Sequence, residues 1–207
     1  MLGAAAEFWD SKPASEWTPG EIARLSTASP WAVKTRATMG GEAPVAGSLR
    51  APRNATWDQI DQINQAAVAA AEKAHRTPGA SIAFYGEVIV TWESAEPMRL
   101  IRRSEPGPEF REHYVIRVTG LPDAVLKRLN AGEMRKASLG MPRKRRINAD
   151  LAQIERPEGR VEFAFPSRAM PLSAADRAVR FLMTLGQMTI QARFDLSRMM
   201  FRNALAI

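Results

Sequence analysis

The chain has 207 residues, 45% of them hydrophobic, which is enough for one well-filled core and somewhat few for two. It contains no cysteine, which excludes disulfides, thiolate metal sites and a cysteine nucleophile, and no run of the roughly 20 apolar residues that a bilayer-spanning helix requires. The net charge of +7 is concentrated: of 29 basic and 22 acidic residues, 13 and 5 fall between Arg99 and Arg146, leaving 16 and 17 elsewhere, an asymmetry that points to an anionic partner.

Taken in chain order, Leu2-Gly3-Ala4-Ala5-Ala6 before Glu7 reads as the small-residue end of a signal peptide. Thr18-Pro19-Gly20-Glu21 then writes a helix start. The Thr18 hydroxyl caps, Pro19 suits the first helical position because its missing N–H has no partner there, and Glu21 completes a capping box. Ile22 and Leu25 give this helix one apolar stripe, and Ser29-Pro30 stops it before Trp31. Residues 39–52 are rich in Gly, Pro and Ala and read as a linker. From Trp57 to His75, Ile60, Ile63, Ala67 and Ala71 recur at helical spacing behind a second capping box at Thr56 and Gln59, and Thr77-Pro78-Gly79 ends that helix.

Beyond Ala80 the period changes from 3.6 to 2. Strands are predicted at Ile82–Trp92, Tyr114–Thr119, Met134–Met141, Arg145–Ile154 and Arg160–Phe165. A short helix after Leu121-Pro122-Asp123 points Val125, Leu126 and Leu129 at the core. Val179, Phe181 and Met183 face Met188, Ile190, Ala192 and Phe194 across a turn at Leu185-Gly186, which predicts a hairpin. The expected fold class is α+β, mainly β: an antiparallel β-sandwich with N-terminal helices, residues 1–79 forming the helical extension and linker and 80–207 the sandwich domain.

Several motifs resemble a group of uncharacterised exported bacterial proteins. They are Phe8-Trp9 with Lys12-Pro13, Trp17-Thr18, Ser29-Pro30-Trp31-Ala32, Trp92-Glu93-Ser94-Ala95 with Pro97 and Arg99, Val118-Thr119-Gly120-Leu121-Pro122, and Phe194-Asp195-Leu196-Ser197-Arg198-Met199. The resemblance implies export, to the periplasm or beyond the cell, and a shared fold. It carries over no catalytic residue.

The chemistry-bearing residues are few. His75 closes a helix and His113 sits on a strand, without the His-x-x-x-His or His-Glu-x-x-His spacing of a metal site. There is no Gly-x-Ser-x-Gly elbow, no phosphate loop and no dinucleotide fingerprint, so no catalytic residue, metal or small-molecule cofactor is predicted. Glu93, Glu96, Glu162 and Asp195 lie in or beside apolar strands and are the candidates for a carboxylate pair, although Glu162 falls on the solvent face by alternation. Trp9, Trp17, Trp31, Trp57 and Trp92 are suited to pinning the extension to the sandwich, or to packing against sugars. The Met-rich tail reads as core filling.

The strongest functional hint is Arg135 and Lys136 on one strand, with Arg143, Lys144, Arg145 and Arg146 after the next turn. In a hairpin both clusters reach one surface and form a field for phosphate or carboxylate groups. No aromatic residue interleaves, so nucleic-acid binding there would be backbone-driven. A charged edge also guards against aggregation. The expected function is a non-enzymatic exported interaction or structural module whose partner is a protein or an anionic envelope polymer. The alternatives are an anion-binding module for nucleic acid, acidic polymer or lipid surface, and an envelope-polymer hydrolase.

Overall fold

Alternating apolar and polar residues build most of the structure. The computed structural model describes residues 7–39, 84–102, 107–127, 129–130, 136–141, 146–155, 159–185 and 188–207. The strands are β1 (Ala32–Met39), β2 (Phe84–Trp92), β3 (His113–Thr119), β4 (Ser138–Gly140), β5 (Arg146–Asn148), β6 (Leu151–Glu155), β7 (Arg160–Pro166), β8 (Ala178–Leu185), β9 (Met188–Asp195), β10 (Met200–Phe201) and β11 (Ala204–Leu205). The helices are α1 (Phe8–Ser11), α2 (Pro19–Thr27), α3 (Glu96–Arg102) and α4 (Asp123–Leu126). The protein is mainly β with antiparallel pairing, as the periodicity predicts. The linker and the helix expected between residues 40 and 79, with Trp57 and His75, lie outside the described residues.

Strands β1 to β9 form one sheet in the order β5-β4-β8-β9-β1-β2-β3-β7-β6. β5 and β6 stand at opposite ends of that order, yet only Ala149 and Asp150 separate them. The Ala149 N–H donates to the Ala137 carbonyl beside β4, and the next amide, of Asp150, donates to the Ala164 carbonyl on β7. Consecutive amides therefore join the two ends of the sheet. Phe163 and Phe165 of β7 also meet Phe181 of β8, with ring centroids 5.6 and 6.2 Å apart. Those strands are five steps apart, which in a flat sheet is ~24 Å. The sandwich is thus one sheet folded over its own apolar face.

The single strand predicted over Arg145–Ile154 is a correction: it is β5 and β6 with a bend between them. Ile147 and Ala149 are buried, whereas Leu151 is 40% exposed and Ala152 and Ile154 turn inward. The inward face shifts by one residue at the bend, and this lets one segment serve both sheet ends. The predicted β8–β9 hairpin is present, with Phe181 opposite Ala192, but Leu185, expected in the turn, is still paired, opposite Met188. Helix α4 buries Val125 and Leu126, with Leu129 just beyond it. After β3, Gly120 has φ +87°, and a Cβ there would lie 2.9 Å from the Glu87 carbonyl oxygen, so this turn requires glycine.

A boundary at residue 79 does not separate helices from sheet. β1 lies between β9 and β2, pairing Thr38 with Thr189 and Val33 with Val90. Among the described residues up to 79, the part before β1 is helical, and aromatic rings fix that part in place. Phe8 meets Trp9 and Trp17, Trp9 meets Trp31, and Trp17 meets Phe201, at centroid distances of 4.9, 5.6, 5.4 and 6.5 Å. The Trp31 indole N–H donates to the Ala206 carbonyl at 2.7 Å, and the Arg202 amide donates to Asp10 Oδ1 at 3.1 Å. The β10–β11 turn places Arg202 and Asn203 at φ 50° and 64°, the left-handed pair that a tight hairpin uses. The pinning role expected of Trp9, Trp17 and Trp31 is what their rings perform.

The capping box of α2 is complete: the Glu21 amide donates to the Thr18 hydroxyl, and the Thr18 amide donates to the Glu21 carboxylate at 2.8 Å. Lys12 first, then the Thr18 amide, hold the Glu21 carboxyl below the ordinary glutamate range. A depressed folded value contributes stability above the unfolded value, about pH 4.3, and loses it as pH falls through the folded one. The melting temperature of wild type is therefore expected to fall more steeply than that of Glu21→Gln as pH is lowered from about 5 to 3. Parallel curves would show that this cap does not respond to acid.

Candidate functional site

Of the four carboxylates singled out in the sequence, two converge. Glu93 follows β2, and its carboxylate lies 2.6 Å from Arg102 Nη2 and 3.6 Å from Arg117 Nη1. Glu162 on β7 stands directly opposite Arg117 on β3, accepting from Arg117 Nε at 2.8 Å and also from Nη2. Arg102, at the end of α3, closes the group with Nη1 3.6 Å from Glu162 Oε1. The side chains of Glu93, Arg117 and Glu162 are 5%, 9% and 13% exposed. Glu162 thus lies on the outward-facing side of β7, as alternation requires, but under a guanidinium rather than in water. Glu93 pairs with Arg102 and Arg117. Glu96 is exposed at the start of α3, and the Asp195 carboxylate accepts from the Ser197 amide and hydroxyl at 3.1 and 2.6 Å. The converging acids are bridged by guanidinium groups, with two Arg117 N–H groups sharing Glu162 Oε1, and charge-assisted hydrogen bonds of this kind hold a carboxylate in place.

The basic region divides accordingly. Arg102 and Arg117 belong to the run counted from Arg99 to Arg146, yet they turn onto buried carboxylates and add nothing to a surface field. The predicted hairpin is present as β4 and β5, with Gly140 opposite Arg146 and Ser138 opposite Asn148. β4 is shorter than expected, and Lys136 precedes it in an exposed turn. Arg146 is exposed on β5. Arg135, Arg143, Lys144 and Arg145 lie outside the described residues.

The register adds two arginines that sequence reading passed over. Gly140 faces Arg146 on one side and Arg180 on the other, and Arg180 faces Arg193 on β9. Directly paired residues project to the same side of a sheet. Arg146, Arg180 and Arg193 therefore stand in one cross-strand row, with glycine between the first two. The row points away from the core, in which the alternate residues Leu139, Ile147, Phe181 and Ala192 are buried, and within it Arg146 and Arg193 are exposed whereas Gly140 and Arg180 are buried. Arg180 is itself 9% exposed and donates to Gln191 Oε1 at 3.4 Å.

His113 gains a partner that local sequence does not supply: its Nε2 lies 3.1 Å from Asp150 Oδ2, at the bend that joins the sheet ends. Among the described residues, no group of three or more His, Asp or Glu side chains is placed to hold a metal ion, and no helix is long and apolar enough to cross a membrane. Trp92 is buried against Tyr114 and Phe194 at 5.5 and 5.2 Å, in the core rather than on a sugar-binding face. Met183, Met188 and Met199 are buried as well. No protein-family model matches the chain, and no curated protein or solved structure is significantly similar to it.

Proposed function

We infer that the chain is a non-enzymatic, exported binding module that works through its outer surface. What supports this reading is the filling of the folded sheet: Trp92, Phe163, Phe165, Phe181 and Phe194 are all under 2% exposed and occupy the space between its two halves. A β-structure packed in this way meets a partner with its exterior, as filled small barrels do. Export rests on the resemblance to exported bacterial proteins and on the small residues before Glu7.

Convergence of Glu93 and Glu162 favours a second reading, hydrolysis of an envelope polymer. A glycosidase pair stands roughly 5 to 10 Å apart with the sugar between the two acids, whereas a guanidinium occupies that position here. One experiment separates the two. Purified protein is incubated with native envelope extract, and both the retained components and newly formed reducing ends are measured. Retention of an envelope component without product release is expected. Release of product that disappears in Glu162→Gln would establish the hydrolase instead, and the absence of both retention and release would overturn the binding reading.

A further inference from the structure

We propose that β6 is a dimer edge, along which two copies of the chain pair antiparallel about a two-fold axis at Gln153. β6 stands at one end of the sheet order and pairs with β7 alone among the described residues. The strand at the other end, β5, is three residues long and exposes Arg146 and Asn148. A short edge bearing a cation discourages pairing with another chain. β6 is built differently: its five residues, Leu151-Ala152-Gln153-Ile154-Glu155, include no lysine, arginine or proline. Leu151 is 40% exposed, and Gln153 on the same side of the strand is exposed too. Leu151 also ends an apolar row. Val115 on β3 faces Ala164 on β7, which faces Leu151, and the first two are 6% and 1% exposed.

The occupant follows from the symmetry of the segment. In an antiparallel pair centred on Gln153, that residue faces its own counterpart, and Ala152 of each copy faces Ile154 of the other. A carboxamide carries both donors and an acceptor, so two facing glutamines satisfy one another. On the inward side Ala152 and Ile154 pack against the core while remaining half-buried at the edge. Alanine opposite isoleucine sets a small side chain against a large one, and the second strand covers what the first leaves open. An extended peptide from another protein would find the same backbone groups, but a second copy brings this matching set with it. The contact is isologous, so it closes at two chains and does not run on into a fibre. The pairing is independent of what the module binds.

The test is analytical ultracentrifugation of the full chain across a concentration series, with cysteine crosslinking as a second readout that the absence of native cysteine makes clean. Wild type is expected to sediment as two chains by about 100 μM. Gln153→Lys sets like charges directly opposite each other across the axis and is expected to weaken the dimer about tenfold or more. Its side chain is exposed at an edge, and circular dichroism checks that the variant is folded. Gln153→Cys is expected to give a disulfide-linked dimer on oxidation, since directly opposed strand positions lie within disulfide reach. Ala23→Cys, exposed on α2, should stay uncrosslinked. A single chain throughout the series, association that Gln153→Lys leaves unchanged, or equal crosslinking of the two cysteine variants overturns the proposal.

Discussion

Replacing Arg117 with alanine is expected to lower unfolding stability by about 3–5 kcal/mol, because it leaves two shielded carboxylates facing each other without their shared counter-ion. Arg117 reaches Glu162 from the opposite strand position and Glu93 from beyond the end of β2. Arg102 approaches the same two acids, but it is 28% exposed and touches Glu162 only at 3.6 Å, so it replaces little of what is lost. The expectation has a counterpart. Removing the charges together, as Glu93→Gln, Arg117→Met and Glu162→Gln, should cost much less than Arg117→Ala alone, since the desolvation penalty disappears with the ions. Urea unfolding measures both variants. A loss below about 1 kcal/mol for Arg117→Ala would mean that water already solvates the group in the manner of a surface pair.

Trp31→Ala is expected to be comparably damaging, at about 3–5 kcal/mol, as for other large aromatic truncations in cores. Trp31 is fully buried, packs edge-on against Trp9, and donates to Ala206 near the chain's other end. Trp31→Phe separates these contributions. It keeps most of the ring area but strands the Ala206 carbonyl, a loss on the order of 1–3 kcal/mol. Trp92→Phe makes an internal comparison. The Trp92 indole N–H is buried without an acceptor, so its removal offsets part of the lost area, and this variant should cost less than Trp31→Phe. Thermal unfolding of the pair decides the point. Equal losses would mean that the Ala206 bond contributes nothing measurable.

What the sequence made legible was local. The α2 cap needs residues three apart, and the β8–β9 hairpin needs only a tight turn between matching apolar rows. β1 was passed over because its charged side, Lys34 and Arg36, alternates with small and β-branched residues, and its partners are remote in the chain. The Glu93–Arg117–Glu162 group depends on contacts spanning up to 45 positions, which alternation alone reads as a solvated face. Two of the three arginines in the row were within reach. Once Leu185 is set opposite Met188, counting back along both strands puts Arg180 opposite Arg193, and that facing pair of like charges was the signal available. Placing Arg146 beside them required β4 to pair with β8, which no local pattern announces.

The position of β1 has a consequence for how the protein is made. Its partner strands begin at residues 84 and 188, so the middle of the sheet cannot be completed until β9, residues 188–195, has left the ribosome. Until then one edge of β1 is open to pairing with other chains, and the nascent protein depends on a holding factor or on speed at its final step. A ribosome stalled before β9 would therefore display an aggregation-prone half-sheet, whereas one stalled after residue 195 would carry a sheet already closed.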